Sequence, residues 1–313
     1  MHLNSTISTI IKLCNWKRDT FPTPKMHPKS NRVKKKFRVF HYIDQKTIDA
    51  MFNEYQPVFV LSTGRSGSLF IHNAMSSLED MQSYHEAFPN LQYFSNFAFQ
   101  NQDKQEILKA MFQAARMELI LDAYNNNRIF MESNQCMVFF SYAIASVFPK
   151  AKFIHVIRHP GDFIHSAIGK GWHLNDSIWE SGRVKMVDTG RWGQLSQAAK
   201  LAWGWQTTNE YISRFLRQQE PSNTLTVKLE ELTSQVPVFT RFISFSGTKK
   251  HFSHEEILQI QSTKINELVV NPNEPLNMKK NPGFPVYKLW NNELKAEVRP
   301  FIESLSHSYG YEI

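Results

Sequence analysis

The stretch from Pro57 to Met75 limits what this chain can be more than any other part of it. Pro57-Val58-Phe59-Val60-Leu61 has the length and the β-branched and aromatic content of a buried strand, and Leu69 to Met75 continues with helical potential. Between them lies Thr63-Gly64-Arg65-Ser66-Gly67-Ser68, which alternates glycine, hydroxyl and guanidinium. Strand, glycine loop and helix in this order make a cradle for a phosphate-like anion. Glycine lets the backbone approach closely, the first N–H groups of a helix have no partner inside it, and the helix dipole favours negative charge there. Arg65 adds a permanent cation with a planar fork of donors. The lysine of the nucleotide-triphosphatase pattern GxxxxGK(S/T) is absent. A glycine-serine loop alone is as readily a tight turn, so a functional reading needs a second site.

Phe153-Ile154-His155-Val156-Ile157-Arg158 begins that second site. An apolar strand ends at an arginine, Pro160 and Gly161 turn the chain, and a helix follows with Ser166 in about its second turn. Arg158 by its reach and Ser166 from the helix could converge on one anion. The competing reading is an arginine paired with a surface carboxylate beside a serine that is merely helical.

Taken together, the two motifs resemble those of the sulfotransferase family, which uses 3'-phosphoadenosine 5'-phosphosulfate (PAPS) as donor. Similarity continues in Phe148-Pro149-Lys150-Ala151-Lys152-Phe153-Ile154, in the helix bearing Leu201-Ala202-Trp203-Gly204-Trp205 to Asn209, and in Val227-Lys228-Leu229-Glu230-Glu231-Leu232, so it spans roughly residues 55 to 310. The resemblance implies a three-layer α/β fold, a mostly parallel sheet flanked by helices of the P-loop-like sulfotransferase type. It further implies that Gly64, Arg65, Ser66, Gly67 and Ser68 hold the 5' phosphosulfate end and that Arg158 and Ser166 hold the 3' phosphate. Transfer is in line, and Arg65 would stabilise the charge that grows on the bridging oxygen of the leaving adenosine bisphosphate. In Met81-Gln82-Ser83-Tyr84-His85-Glu86 the resemblance places the base for the acceptor hydroxyl, Glu86 first and His85 second. A loop that closes over the nucleotide would bring Lys279 and Lys280 to its phosphates. Arginine at position 65 where the cytosolic branch has lysine, Ser68-Leu69 in place of its threonine pair, and Met278-Lys279-Lys280-Asn281 as a faint echo of RKG point to the bacterial or carbohydrate-type branch.

Strands are expected near residues 57–62, 128–132, 152–157 and 224–229, with a further strand and loop over Met81 to Pro89. Helices are expected near 69–78, 104–124, 137–147, 161–169 and 194–217, and a last one ends at about His307. Strand and helix alternating in this way build a parallel sheet covered on both faces, with ligands outside the carboxyl ends of the strands. Trp172 to Gly193 reads as a loop or short helices near the acceptor. There Trp172, Trp179, Arg191 and Trp192 could stack on a sugar or base, or plug the core.

The net charge of +8 does not imply a nucleic-acid partner. Residues 1–38 hold ten Lys/Arg against one Asp, and the remaining 26 Lys/Arg face 27 Asp/Glu. Residues 1–38 therefore read as a basic, disordered tail and 39–313 as the sulfotransferase domain. Thr6 to Leu13 is too short and too polar for a membrane span, so a cytoplasmic location is expected, with an organelle-targeting role for the tail left open. Cys14 and Cys136 form no CxxC, and no metal is expected. The partner is a hydroxyl-bearing acceptor, a carbohydrate or small molecule. Two other readings remain open: a P-loop kinase or related nucleotide-binding enzyme, which would need Mg²⁺ and a phosphate-gripping lysine, and a non-catalytic anion-binding protein on the same fold.

Overall fold

Val58 to Leu61, apolar at every position, is the middle strand of a five-stranded sheet and is buried on both faces. The computed structural model describes residues 45–174, 178–262 and 283–313, without the side chains of residues 178 and 179. The readings of residues 1–38, Lys279, Lys280 and the Trp179 side chain lie outside the described residues. In chain order the first elements are α1 (Gln45–Glu54), β1 (Val58–Leu61), α2 (Ser68–Ser76), β2 (Met81–His85), α3 (Gln92–Gln100), α4 (Gln105–Asn125) and β3 (Ile129–Ser133). A 3-10 turn (Gln135–Phe140) leads into α5 (Ser141–Val147), β4 (Lys152–Ile157) and α6 (Pro160–Gly169). Two short helices, α7 (Ile178–Ser181) and α8 (Thr189–Gln194), precede α9 (Gln197–Leu216) and β5 (Thr224–Lys228). The chain ends with α10 (Leu229–Leu232), α11 (Val236–Ser246), α12 (His254–Ser262) and α13 (Asn292–Ser308).

The strand order is β2-β3-β1-β4-β5 and every neighbouring pair is parallel. Successive side chains on a strand point to opposite faces. Val58 and Val60 accordingly pack with Phe70 and Met75 of α2 and Phe239 and Phe242 of α11. Phe59 and Leu61 pack with Phe112 of α4, Ile144 of α5 and Phe215 of α9. A third cluster joins α6, α9 and α13 through Phe163, Trp205 and Val298. This is the helix-covered parallel sheet expected. No helix among the described residues is long and apolar enough to cross a membrane.

Two expected helices are each divided. The stretch near 137–147 starts as a 3-10 turn because the Asn134 side chain accepts from Cys136 N at 2.8 Å and fixes a tighter entry. The stretch near 194–217 breaks at Ser196, whose hydroxyl caps α9 by accepting from Ala199 N at 3.1 Å. Helices α1, α3, α11 and α12 were not expected. For α11 the sequence carries a terminal mark at each end, Pro237 in the first turn and Gly247 as a left-handed C-cap.

From β1 the chain runs past β3 to β2 at one edge, and from β4 it runs to β5 at the other. Adjacent strands whose connections diverge leave a crevice at their carboxyl ends. The loop after β1 carries Arg65, and Arg158 directly follows β4.

Candidate active site

The β1–α2 loop is tied by its own hydroxyls. Ser62 Oγ accepts from Gly64 N at 3.2 Å, and Thr63 Oγ1 and Ser66 Oγ each donate to Gly64 O at 3.0 Å. Ser66 is only 1% exposed, so its side chain builds the loop, and a contact with an anion is left to its backbone. Gly64 (φ +76°), Arg65 (φ +52°) and Gly67 (φ +79°) are left-handed, a geometry that turns successive N–H groups toward one concavity. A Cβ at Gly64 would lie 2.0 Å from Gln135 Oε1, and one at Gly67 would lie 2.3 Å from Leu229 Cδ1. Gly67 gives α2 no side-chain cap, which leaves its first turn open to an anion.

The two arginine motifs meet. Arg65 Nε donates to Ser166 Oγ at 3.0 Å, and Arg158 Nη1 donates to Arg65 O at 2.6 Å. Trp205 Nε1, from the middle of α9, donates to Arg158 O at 3.0 Å and fixes that strand end. Burial pulls the Arg65 guanidinium below its ordinary value, Arg158 adds to the shift and Glu86 opposes it. Arg158 is likewise lowered by burial, against the charges of Asp162 and Glu230. Glu230 accepts from His159 N at 2.9 Å and from the Tyr311 hydroxyl at 2.8 Å, so its carboxylate has its own donors. Two half-buried cations close enough for one to lower the other favour anionic ligands beside them.

On the other side of the loop, β2 ends at His85, whose Nε2 lies 2.9 Å from Ser68 Oγ at the start of α2. Glu86 is left-handed (φ +48°), its N–H donates to Ser133 O at 3.2 Å, and its Oε1 accepts from Gln135 Nε2 at 3.4 Å. The following loop is held from below by Arg116 of α4. Arg116 Nη2 and Nη1 donate to Ala87 O (3.1 Å) and Pro89 O (2.7 Å), while its Nε and Nη2 grip both oxygens of Glu132 at 2.5 and 2.8 Å. Asn134 Nδ2 also donates to Glu132 Oε1, at 2.9 Å. Both charges are fully buried.

Trp172 reaches this center, because a Cβ on Gly64 would lie 2.9 Å from its ring. The Arg183 guanidinium lies over that ring, 3.8 Å from its centroid, and donates through Nε to Glu180 at 2.6 Å. Trp192, by contrast, packs edge-on against Trp203 and His173. Sequence reasoning did not single out Gln135, Arg183 or the Arg116–Glu132 pair. A charge inside the apolar strand Ile129-Phe130-Met131-Glu132 was the one available signal for the last.

A parallel sheet carries a glycine-arginine loop after its middle strand and a second arginine across the divergence of β1 and β4, the place where open α/β enzymes bind their ligands. Residues 57–244 match the model of the Sulfotransferase family. The chain belongs to the sulfotransferase family and is an enzyme of that class. No curated protein matches it. Among solved structures it is similar to the sulfotransferase domain from the curacin biosynthetic pathway, at 18% identity over 83% of this chain and 99% of that one, with a TM-score of 0.48. A sulfotransferase from Alicyclobacillus acidocaldarius aligns at 13% identity over 82% of this chain and 97% of that one, with a TM-score of 0.48. A mouse sulfotransferase complexed with PAP aligns at 12% identity over 86% and 94% of the respective chains, with a TM-score of 0.46.

Proposed function

We propose that this sulfotransferase takes its sulfuryl group from PAPS and passes it to a hydroxyl acceptor. The reading rests on family membership and on one observation, the contact of the Arg65 loop with Arg158 and Ser166 at 2.6 and 3.0 Å. The residues fit the donor in kind: two guanidiniums whose hydrogen bonds among the described residues go to a hydroxyl and a main-chain carbonyl, an uncapped helix start, and left-handed glycines that let the loop approach an anion closely. Arg65, Ser68 and the backbone of Gly64, Ser66 and Gly67 would hold the 5' phosphosulfate, and Arg158 with Ser166 the 3' phosphate. The bound donor supplies an electrophilic sulfur and a leaving bisphosphate.

Glu86 is the proposed base. It touches Gln135 beside the anion loop, whereas His85 is engaged with Ser68. As the acceptor oxygen bonds to sulfur and the bond to the bridging oxygen breaks, the acceptor proton passes to the Glu86 carboxylate. Arg65 and the first N–H groups of α2 stabilise the charge left on the bridging oxygen, a contribution of about 3–4 kcal/mol for one well-placed donor. Arg158 contributes binding and orientation. Titration calorimetry tests the assignment. Adenosine 3',5'-bisphosphate should bind without Mg²⁺, and Arg158→Ala should weaken it at least tenfold. Equal affinity in the variant, or tighter binding of ATP with Mg²⁺, refutes the reading.

A further inference from the structure

Beside the anion loop is a cavity onto which a few polar groups open that have no partner among the described residues. It is partly open to the surface and has a volume of about 70 Å³, room for roughly five or six waters at ~10–15 Å³ each. Thr63, Gln135, Arg183, Ser95 and Thr208 line it among mostly apolar side chains that include Trp172. Ser95 and Thr208 are only 6% and 9% exposed, yet neither hydroxyl has a hydrogen-bond partner among the described residues. Arg183 engages Glu180 through Nε alone, which leaves both Nη groups as donors.

Buried hydroxyls and guanidinium N–H groups left without partners penalise any ligand that cannot pair them. A phenol or a long-chain alcohol brings a single oxygen, and the reaction itself uses it. A sugar ring carries an oxygen on nearly every carbon, and its C–H face can lie against an indole. We propose that this cavity is the acceptor subsite and takes one hydroxyl-rich ring, a monosaccharide unit, with Ser95, Thr208 and Arg183 as the groups that select it. The proposal rests on the sulfuryl-transfer reading above. Gln135 connects subsite and chemistry, since it lines the cavity and also donates to Glu86. A ring hydroxyl on that side loses its proton to Glu86 as its oxygen bonds to sulfur and the bisphosphate leaves.

The full chain with PAPS can be offered the methyl glycosides of glucose, galactose, mannose and N-acetylglucosamine, together with 4-nitrophenol and 1-octanol, and the products read by mass. At least one glycoside should be turned over. Ser95→Ala and Thr208→Val, the latter matched in shape, should each raise its KM about tenfold, the effect of one lost buried hydrogen bond. Neither should change kcat or the affinity for adenosine 3',5'-bisphosphate, which also shows that the variants fold. Transfer to the phenol or the alcohol but to no glycoside overturns the proposal. So does a glycoside KM that both variants leave unchanged, or bisphosphate binding with no turnover of any acceptor. Failure of the bisphosphate to bind overturns the donor reading instead.

Discussion

Arg116→Met should separate stability from catalysis. The substitution leaves the Glu132 carboxylate buried without its cation and strips the carbonyls of Ala87 and Pro89 of their donor. Breaking one side of a buried ion pair costs about 3–5 kcal/mol, a large part of the ~5–15 kcal/mol that holds a domain folded. Urea unfolding of the variant should therefore show a loss of about 4 kcal/mol. Adding Glu132→Gln removes the stranded charge and still offers an oxygen to Asn134, so the double variant should regain most of that loss. It should not regain activity. The loop that begins at Glu86 would still lack the two bonds that fix its carbonyls, and kcat should stay at least tenfold down at unchanged bisphosphate affinity. A double variant that recovers both stability and kcat would refute the view that Arg116 positions the base. A single variant that loses less than about 1 kcal/mol would refute the view that the pair is dry.

Two further substitutions probe the site and the strand beside it. Gly64→Ala puts a Cβ on a left-handed residue and against the Gln135 amide, which should lower stability by about 1–2 kcal/mol and lower kcat further by moving Gln135 off Glu86; an unchanged kcat in a melt-checked variant would contradict this. Burial pushes His155 from 6.5 down to about 4, against the opposing effect of its hydrogen bond to Asn209. Between those values the unfolded chain binds a proton that the folded protein does not, so stability falls as pH drops through the window, by ~3 kcal/mol for this group. His155→Gln, which can still donate to Asn209 Oδ1, should remove that component. The gap in unfolding free energy between variant and parent should then differ by this amount at pH 7 and pH 4, and a constant gap would dismiss it.

What the sequence disclosed depended on how local the physics is. β1 and β4 were legible because strands buried on both faces read as largely apolar runs, broken in β4 only by Lys152 at its start and the buried His155, and each run ends at the loop that bears an arginine. Gln135, Arg116 and Arg183 were not, because each acquires its role from residues far away in the chain or from a cavity that exists only once the layers pack. Gln135 meets Glu86 across 49 positions, and Arg116 meets Ala87 across 29. Ser66 was read as an anion ligand from its place in the motif, whereas its hydroxyl turns inward because Gly64 O lies 3.0 Å away. The choice between His85 and Glu86 could not be made by strand alternation. That rule stops at His85, and the left-handed backbone of Glu86 sends its carboxylate toward Gln135 on different grounds.

The meeting of Arg65 and Arg158 has an energetic consequence for how the proposed donor would bind. Each cation is partly removed from water and each is held by a neutral group of the protein, Arg65 by the Ser166 hydroxyl and Arg158 by a main-chain carbonyl. Neutral acceptors orient a guanidinium without cancelling its charge, so the repulsion by which Arg158 adds to the effect of burial on Arg65, offset in part by Glu86, persists until an anion enters. Asp162 and Glu230 temper Arg158 alone. The 5' phosphosulfate at Arg65 and the 3' phosphate at Arg158 would each exchange a weak neutral contact for a charge-assisted one and together relieve the repulsion, while a neutral ligand would do neither. Selection for a doubly phosphorylated nucleotide over plain adenosine then follows from the contact between the motifs, independently of how the base moiety is held.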